Sequence, residues 1–217
     1  MTASQFVTKS ARRVRKYLSL VVGSNGPRSA SREYFDHLYE VHSDPFNYET
    51  SDYEAKKYAH TLSALPRPKY RSALEIGSSI GVLTAKLASR CESLLSIDVC
   101  EKALAKARQR CAKFPNVEFQ VMQVPRQFPG RLFDLTIFSE VGYYMTMNDL
   151  IATRRHILNR LEPGGHLLLV HWSGRSPIMP LSNAQVHGCF MEEEGRLLWH
   201  VSGSDELHYR LDLLEKV

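Results

Sequence analysis

Short apolar runs alternate with amphipathic stretches along this chain, and the alternation is regular from Arg71 onward. Residues 73–76 and 94–97 form apolar runs of strand length on either side of a helical pattern at 82–89. A helix at 102–112 follows, then strands at 117–122 and 133–138. The next helix spans 147–161 and is closed by Glu162-Pro163-Gly164-Gly165, before a fifth strand at 166–171. Near the end, 197–201 and 208–214 read as two strands joined by the polar turn Ser202-Gly203-Ser204-Asp205. Upstream, 31–41 carries Tyr34, Phe35, Leu38 and Tyr39 on one helical side. Ser51 with Glu54 three residues on is a capping-box pattern, and the helix it starts stops at Pro66-Arg67-Pro68. Strand–helix alternation specifies an α/β fold: a doubly wound, mostly parallel seven-stranded sheet with a C-terminal antiparallel hairpin and an N-terminal helical lid. The division expected is a leader at 1–30, the lid at 31–70 and the main domain at 71–217.

The join between the first strand and its helix carries the chemistry. It reads Glu75-Ile76-Gly77-Ser78-Ser79-Ile80-Gly81, and Asp98 ends the second strand seventeen residues after Gly81. Gly77 and Gly81 permit a tight turn and close backbone approach to a ligand, and Ser79 supplies a third small residue. Ligands of parallel sheets bind outside the carboxyl ends of the strands, where an acid such as Asp98 can hydrogen-bond ribose hydroxyls. A pyrophosphate loop places negative charge at a helix N-terminus, and Glu75 would repel it. Glu75 suits a cation instead, which points to S-adenosylmethionine, with an ammonium, a sulfonium and a ribose but no phosphate. A glycine-rich turn in an unrelated α/β protein is the competing reading.

The net charge of +5 is misleading, because residues 1–30 hold six basic residues and no acid. The remaining 187 residues carry a net −1, so the body has no basic excess with which to grip nucleic acid. The basic stretch ahead of Leu18-Ser19-Leu20-Val21-Val22 reads as a mobile leader, with a short secretory core or a weak membrane-surface helix as the alternatives. Its apolar run is too short to span a bilayer. Cys91, Cys100, Cys111 and Cys189 form no C-x-x-C pair and no zinc spacing, so no metal is expected, and the thiols read as reduced in the cytoplasm.

Taken with Phe133-Asp134-Leu135 and Leu161-Glu162-Pro163-Gly164-Gly165, these motifs resemble the Rossmann-like S-adenosylmethionine-dependent methyltransferases over residues 71–217. More narrowly, Asp44-Pro45-Phe46-x-Tyr48-x-Thr50-Ser51-x-Tyr53-Glu54, Leu74-Glu75-Ile76-Gly77 and Glu140-Val141-x-Tyr143-Tyr144 are similar to the nodulation protein S (NodS) type. The resemblance implies methyl transfer from S-adenosylmethionine, with S-adenosylhomocysteine as product, to a small molecule or oligosaccharide. Founding members of that family N-methylate a deacetylated chitooligosaccharide. The acceptor expected here is the amine of an amino sugar or deacetylated oligosaccharide. A hydroxyl or carboxyl acceptor is the alternative, and a non-catalytic cofactor-binding module a third reading. Either a monomer or a homodimer is compatible. The sequence departs from the family pattern at Gln123, where an acid is usual, at Phe46, where Trp is usual, and at Gly142, whose small size would open the acceptor pocket.

The cofactor-binding set expected is therefore Glu75, Gly77, Ser79, Gly81, Asp98, Val99, Gln123, Val124, Ser139 and Tyr53. Glu140 ends the fourth strand at the same rim and is the first choice for binding or deprotonating an amine, against a plain capping role. His171, at the tip of the fifth strand, is a candidate base, with simple hydrogen bonding as the alternative. Tyr144 completes the catalytic candidates, and Tyr143, Trp172, Phe46 and Tyr48 are the acceptor-binding candidates, with packing as the alternative for the tyrosines. Lys57 could reach the cofactor carboxylate or lie on a solvated helix face.

Overall fold

The computed structural model describes residues 22–23 and 26–217. The described chain opens with a two-residue antiparallel pair, Val22–Gly23 with Gly26–Pro27. The elements that follow are α1 (Arg32–Val41), α2 (Asp52–Ser63), β1 (Tyr70–Ile76), α3 (Val82–Leu87), β2 (Cys91–Asp98), α4 (Glu101–Arg110) and β3 (Val117–Val121). Next come β4 (Phe133–Ser139), α5 (Met147–Arg160), β5 (Leu161–Trp172), α6 (Asn183–Met191), β6 (Leu198–Asp205) and β7 (Tyr209–Lys216). Among the described residues, seven strands form one sheet in the order β3-β2-β1-β4-β5-β7-β6. The pairs among β1 to β5 are parallel, and β7 runs antiparallel to both β5 and β6.

Period-two alternation sends side chains to two cores. Leu74, Ile76, Leu95, Ile97, Leu167 and Leu169 pack with α5 and α6 on one face. Ala73, Leu94, Leu135, Ile137, Leu168 and Val170 pack with α2 and α3 on the other. The same alternation puts Glu75 on the α3 face and His171 on the α6 face.

Two expectations shift, at the terminal hairpin and at α2, and one helix, α6, is new. Ser202 to Asp205 is strand rather than turn: the register of β6 slips between His200 and Ser202, and a Cβ at Gly203 would lie 2.4 Å from Asp212 Oδ1. α6 carries no apolar period that announces it, yet its capping box is complete, with Ser182 Oγ accepting from Gln185 N–H and the Gln185 side chain accepting from Ser182 N–H. At α2 only half of the expected box forms. Ser51 Oγ accepts from Glu54 N–H, but the Glu54 carboxylate turns inward to Lys57.

Candidate active site

β1 ends at Ile76 and the chain turns sharply over the end of β2. Gly77 and Ser78 N–H groups both donate to Ile97 O, at 2.8 and 3.2 Å. Gly77 has φ +88°, and a Cβ there would lie 2.2 Å from Val141 Cγ2. Ser79 also adopts positive φ, and Gly81 at φ +77° starts α3 against Ala107. This curl brings Ser79 N–H to Asp98 Oδ2 at 2.8 Å, while Cys100 N–H donates to Asp98 Oδ1 at 2.9 Å. Burial raises the Asp98 pKa, and the backbone donors oppose that rise.

Glu75 lies beneath the loop. Its Oε2 accepts from Thr84 Oγ1 of α3 at 2.6 Å and from Ser96 Oγ of β2 at 2.7 Å. One carboxylate thus ties β1, β2 and α3 together. Burial pushes its pKa up to about 7, against the lowering effect of the two hydroxyls.

Above the loop lies a cavity of about 710 Å³ along the carboxyl ends of β1, β2, β3 and β4. That is a usual size for a small-molecule site. Ten of the residues singled out in the sequence line it: Phe46, Tyr48, Gly77, Ser79, Asp98, Val99, Gln123, Val124, Glu140 and Tyr144. Glu75 and Ser139 border a separate, much smaller void, which Glu140 also reaches. Gly81 shapes the loop from behind, as the N-cap of α3.

Four of the proposed residues are held elsewhere. Tyr53 lies outside the cavity wall, with its hydroxyl donating to His208 O at 3.3 Å and its ring against Tyr209. Trp172 folds over Gly174, where a Cβ would meet its ring at 1.9 Å. Tyr143 is buried and donates its hydroxyl to Glu140 Oε2. His171 is fully buried, and its Nε2 accepts from Gly142 N–H at 3.1 Å, so the lone pair a base would use is already occupied. The same geometry corrects the expectation for Gly142. It opens no pocket, because a Cβ there would lie 2.5 Å from Val186 Cγ1 and 3.0 Å from His171 Nε2.

Glu140 follows β4 in a left-handed backbone conformation, φ +59°. Its Oε1 accepts from Lys57 Nζ at 3.0 Å, and Lys57 also donates to Glu54 at 3.0 Å. The Lys57 side chain is 2% exposed and those of Glu54 and Glu140 are 9% and 13% exposed. Burial alone would lower the Lys57 pKa, but Glu140 and Glu54 outweigh it and hold it above its ordinary value. Glu54 and Glu140 thus share one ammonium as their partner at the cavity wall.

The sequence did not reveal several wall residues. Tyr39 lines the cavity and shares a 2.5 Å hydrogen bond with Ser79 Oγ. Arg28, Ser29 and Ala30, assigned to the leader, line it too. Ala30 N–H donates to Tyr144 O at 2.7 Å, Thr146 N–H donates to Ser29 Oγ at 2.8 Å, and Ser29 Oγ donates to Asp149. Tyr39 stood on the apolar side of α1 and nothing local distinguished it. Ser29 and Ala30 carried no motif.

Among the described residues, no group of three or more His, Cys, Asp or Glu is placed to hold a metal ion. No helix among them is long and apolar enough to cross a membrane. All four cysteines are buried and unpaired.

The sheet order and its reversed final strand define the Rossmann-like methyltransferase fold. The N-methyltransferase NodS from Bradyrhizobium japonicum WM9, solved with S-adenosyl-L-homocysteine, superposes with a TM-score of 0.74 at 23% identity, covering 83% of this chain and 99% of that one. A Pseudomonas syringae crystal structure assigned as a methyltransferase is 36% identical with a TM-score of 0.67, covering 76% of this chain and 99% of that one. Two curated proteins named nodulation protein S are also similar. The Rhizobium tropici protein is 34% identical over 129 residues, 58% of this chain and 53% of that protein. The Sinorhizobium fredii protein is 32% identical over 127 residues, 58% of this chain and 59% of that protein. The matches thus span little more than half the length of these curated relatives. The nodulation protein S (NodS) profile matches residues 32–179, and the chain belongs to that family.

Proposed function

We propose that this chain is an S-adenosylmethionine-dependent methyltransferase whose acceptor is the amine of an amino sugar or of a deacetylated oligosaccharide. The observation that carries the reading is Asp98. Each of its oxygens takes one backbone N–H, which leaves lone pairs for the two vicinal hydroxyls of a ribose in the cavity it lines. The cofactor fits the rest of the wall. Gly77 lets the loop pass close against Val141 at the cavity wall, the flanks of Val99, Met122 and Val124 suit a purine, and Gln123 offers an acceptor to its amino group.

S-adenosylmethionine, when bound, supplies a methyl group on a sulfonium sulfur to in-line attack by the acceptor's lone pair. This chain's residues align the two partners and exclude water. Phe46, Tyr48 and Tyr144 wall the cavity near Glu140 with rings that suit cations and sugar faces. Glu140 keeps about two lone-pair sites beyond those used by Lys57 and Tyr143, by the usual capacity of a carboxylate. Those sites hold an ammonium and take its proton. The name of the Bradyrhizobium japonicum structure, an N-methyltransferase, supports N-methyl transfer in the same direction. We place the enzyme in the cytoplasm, since four buried unpaired thiols suit a reducing compartment.

Calorimetry with S-adenosylhomocysteine and transfer of labelled methyl groups to glucosamine and partly deacetylated chitooligosaccharides test the proposal. Glu140→Gln is expected to leave cofactor affinity nearly intact and to lower kcat/KM by about 10²-fold, the scale for losing a positioned base. Absence of S-adenosylhomocysteine binding would overturn the cofactor assignment. Transfer to hydroxyl or carboxyl acceptors alone would overturn the amine assignment.

A further inference from the structure

Behind the candidate site, on the α6 face of the sheet, a line of polar groups crosses the apolar core. Gly142 N–H donates to His171 Nε2 at 3.1 Å. His171 Nδ1 and His187 Nε2 share a hydrogen bond at 3.2 Å, and His187 Nδ1 and Asp212 Oδ2 share one at 2.6 Å. Both histidines are 0% exposed and Asp212 is 3% exposed. The two ends of this line determine its protons. A backbone amide can only donate and an ionised carboxylate can only accept. His171 therefore carries its proton on Nδ1 and gives it to His187 Nε2, and His187 carries its proton on Nδ1 and gives it to Asp212.

Such a line is expensive to bury unless every member is satisfied, and here every member is. An apolar core would fill the same space, so what the line adds is direction. Its inner end grips the short turn Gly142–Tyr144. The His171 ring also meets the edge of Tyr143, with centroids 5.5 Å apart, and Tyr143 in turn donates to Glu140. Gly142 is glycine because a side chain would strike His171 and Val186. We propose that Asp212, His187 and His171 are positioning residues, a buried line that holds the Gly142–Tyr144 turn and through Tyr143 aims Glu140 into the cavity. The assignment of a purpose to that aim rests on the methyltransferase reading above.

The surroundings keep both rings neutral. Phe138 of β4, Tyr143 of the turn and Val186 of α6 pack about His171. On the far side, Arg210 Nε of β7 donates to Asp212 Oδ2 at 2.6 Å and His200 of β6 meets Asp212 Oδ1 at 2.8 Å, while Asp205 and Lys57 act at longer range. Burial lowers the pKa of both core histidines, which outweighs Asp212 at His187. A proton added to His171 Nε2 would face the Gly142 N–H donor against donor, and the turn would lose its anchor.

The test combines imidazole nitrogen spectroscopy of the ¹⁵N-histidine-labelled protein with two substitutions at His187. In the wild type, His171 is expected to show a bare Nε2 and a protonated Nδ1, and His187 the same pattern. His187→Gln keeps one acceptor and one donor, so it should keep the His171 tautomer and most of kcat. His187→Leu removes the acceptor. It leaves the His171 Nδ1 proton without a partner and the ring without its outer anchor, so it should speed Gly142 amide exchange by about 10-fold or more, as expected for a locally released turn. It should lower kcat on the amine acceptor by about 10-fold or more, the scale of a small misplacement, with S-adenosylhomocysteine affinity unchanged. A proton on His171 Nε2 in the wild type overturns the proposal. So does equal behaviour of the Gln and Leu variants, or cofactor affinity falling in step with kcat. Should the Leu variant fail to fold, the wild-type tautomers and the Gln variant still decide. Absence of methyl transfer in any protein would sink the methyltransferase reading instead, while the tautomers and the Gly142 exchange rates would still judge the buried line.

Discussion

Replacing Lys57 by Met tests how Glu140 is held at the cavity wall. Lys57 Nζ lies 3.0 Å from both Glu54 and Glu140, and its side chain is 2% exposed. Methionine fills much of the same volume but leaves two buried carboxylates facing each other without a counterion. Breaking a buried ion pair in this way costs about 3–5 kcal/mol. Glu54 and Glu140 are 9% and 13% exposed and Glu140 borders the main cavity, so water can reach one of them and the lower figure, about 3 kcal/mol, applies. For a chain of this size that is about 6–12 °C in melting temperature. The pH dependence carries the diagnosis. Burial already raises the Glu54 pKa above its ordinary 4.5, with Lys57 opposing the rise, and removing Lys57 raises it further. A carboxyl whose folded pKa is raised stabilises the fold below its unfolded value and loses that contribution as pH rises through the folded one. The deficit of Lys57→Met should therefore be greatest near pH 8 and shrink as the solution is brought down towards pH 4.5. Adding Glu54→Gln and Glu140→Gln should recover at least half of it. Urea unfolding across that pH range is the assay. A single variant within about 1 kcal/mol of wild type at pH 8, below the range for a broken buried pair, would show that the three groups are not coupled as described. A deficit independent of pH would show the same.

Three further outcomes are expected. Asp98→Ala should weaken S-adenosylhomocysteine binding by about 2–4 kcal/mol in calorimetry, from two ribose bonds to a carboxylate at about 1.5–3 kcal/mol each with some return to water; unchanged affinity would remove Asp98 from the site. Gly77→Ala should destabilise the fold by about 1–3 kcal/mol and abolish cofactor binding, because φ is +88° and its Cβ would sit 2.2 Å from Val141 Cγ2; adding Val141→Ala should relieve the clash but not the backbone strain. His171 and His187 have lowered pKa values in the fold, so the unfolded chain takes up protons first as pH falls through the ordinary value of 6.5. Stability should drop below that pH by about 1.4 kcal/mol per unit for each histidine, and a flatter profile in His187→Gln would confirm which ring contributes.

The strands, their order of appearance and the loop from Glu75 to Gly81 were legible in the sequence because they depend on local information. Period-two apolar runs flanked by breakers become buried strands wherever a second layer covers them, and Gly77 and Gly81 permit the positive φ that the loop adopts. Asp98 was legible for the same reason, as an acid at a strand end in a known spacing. The tertiary structure alone decided which polar groups meet. Lys57 and Glu140 are 83 residues apart and Tyr39 and Ser79 are 40 apart, and no periodicity encodes such pairs. His171 stood at the rim in the sequence, but alternation along β5 turned it towards α6, a helix too weakly patterned to foresee. Ser29 and Ala30 became part of the wall only because the chain ahead of α1 crosses the Tyr144–Thr146 segment. A buried charge must find its partner wherever packing brings one, so the sequence names the charges and the fold decides how they pair.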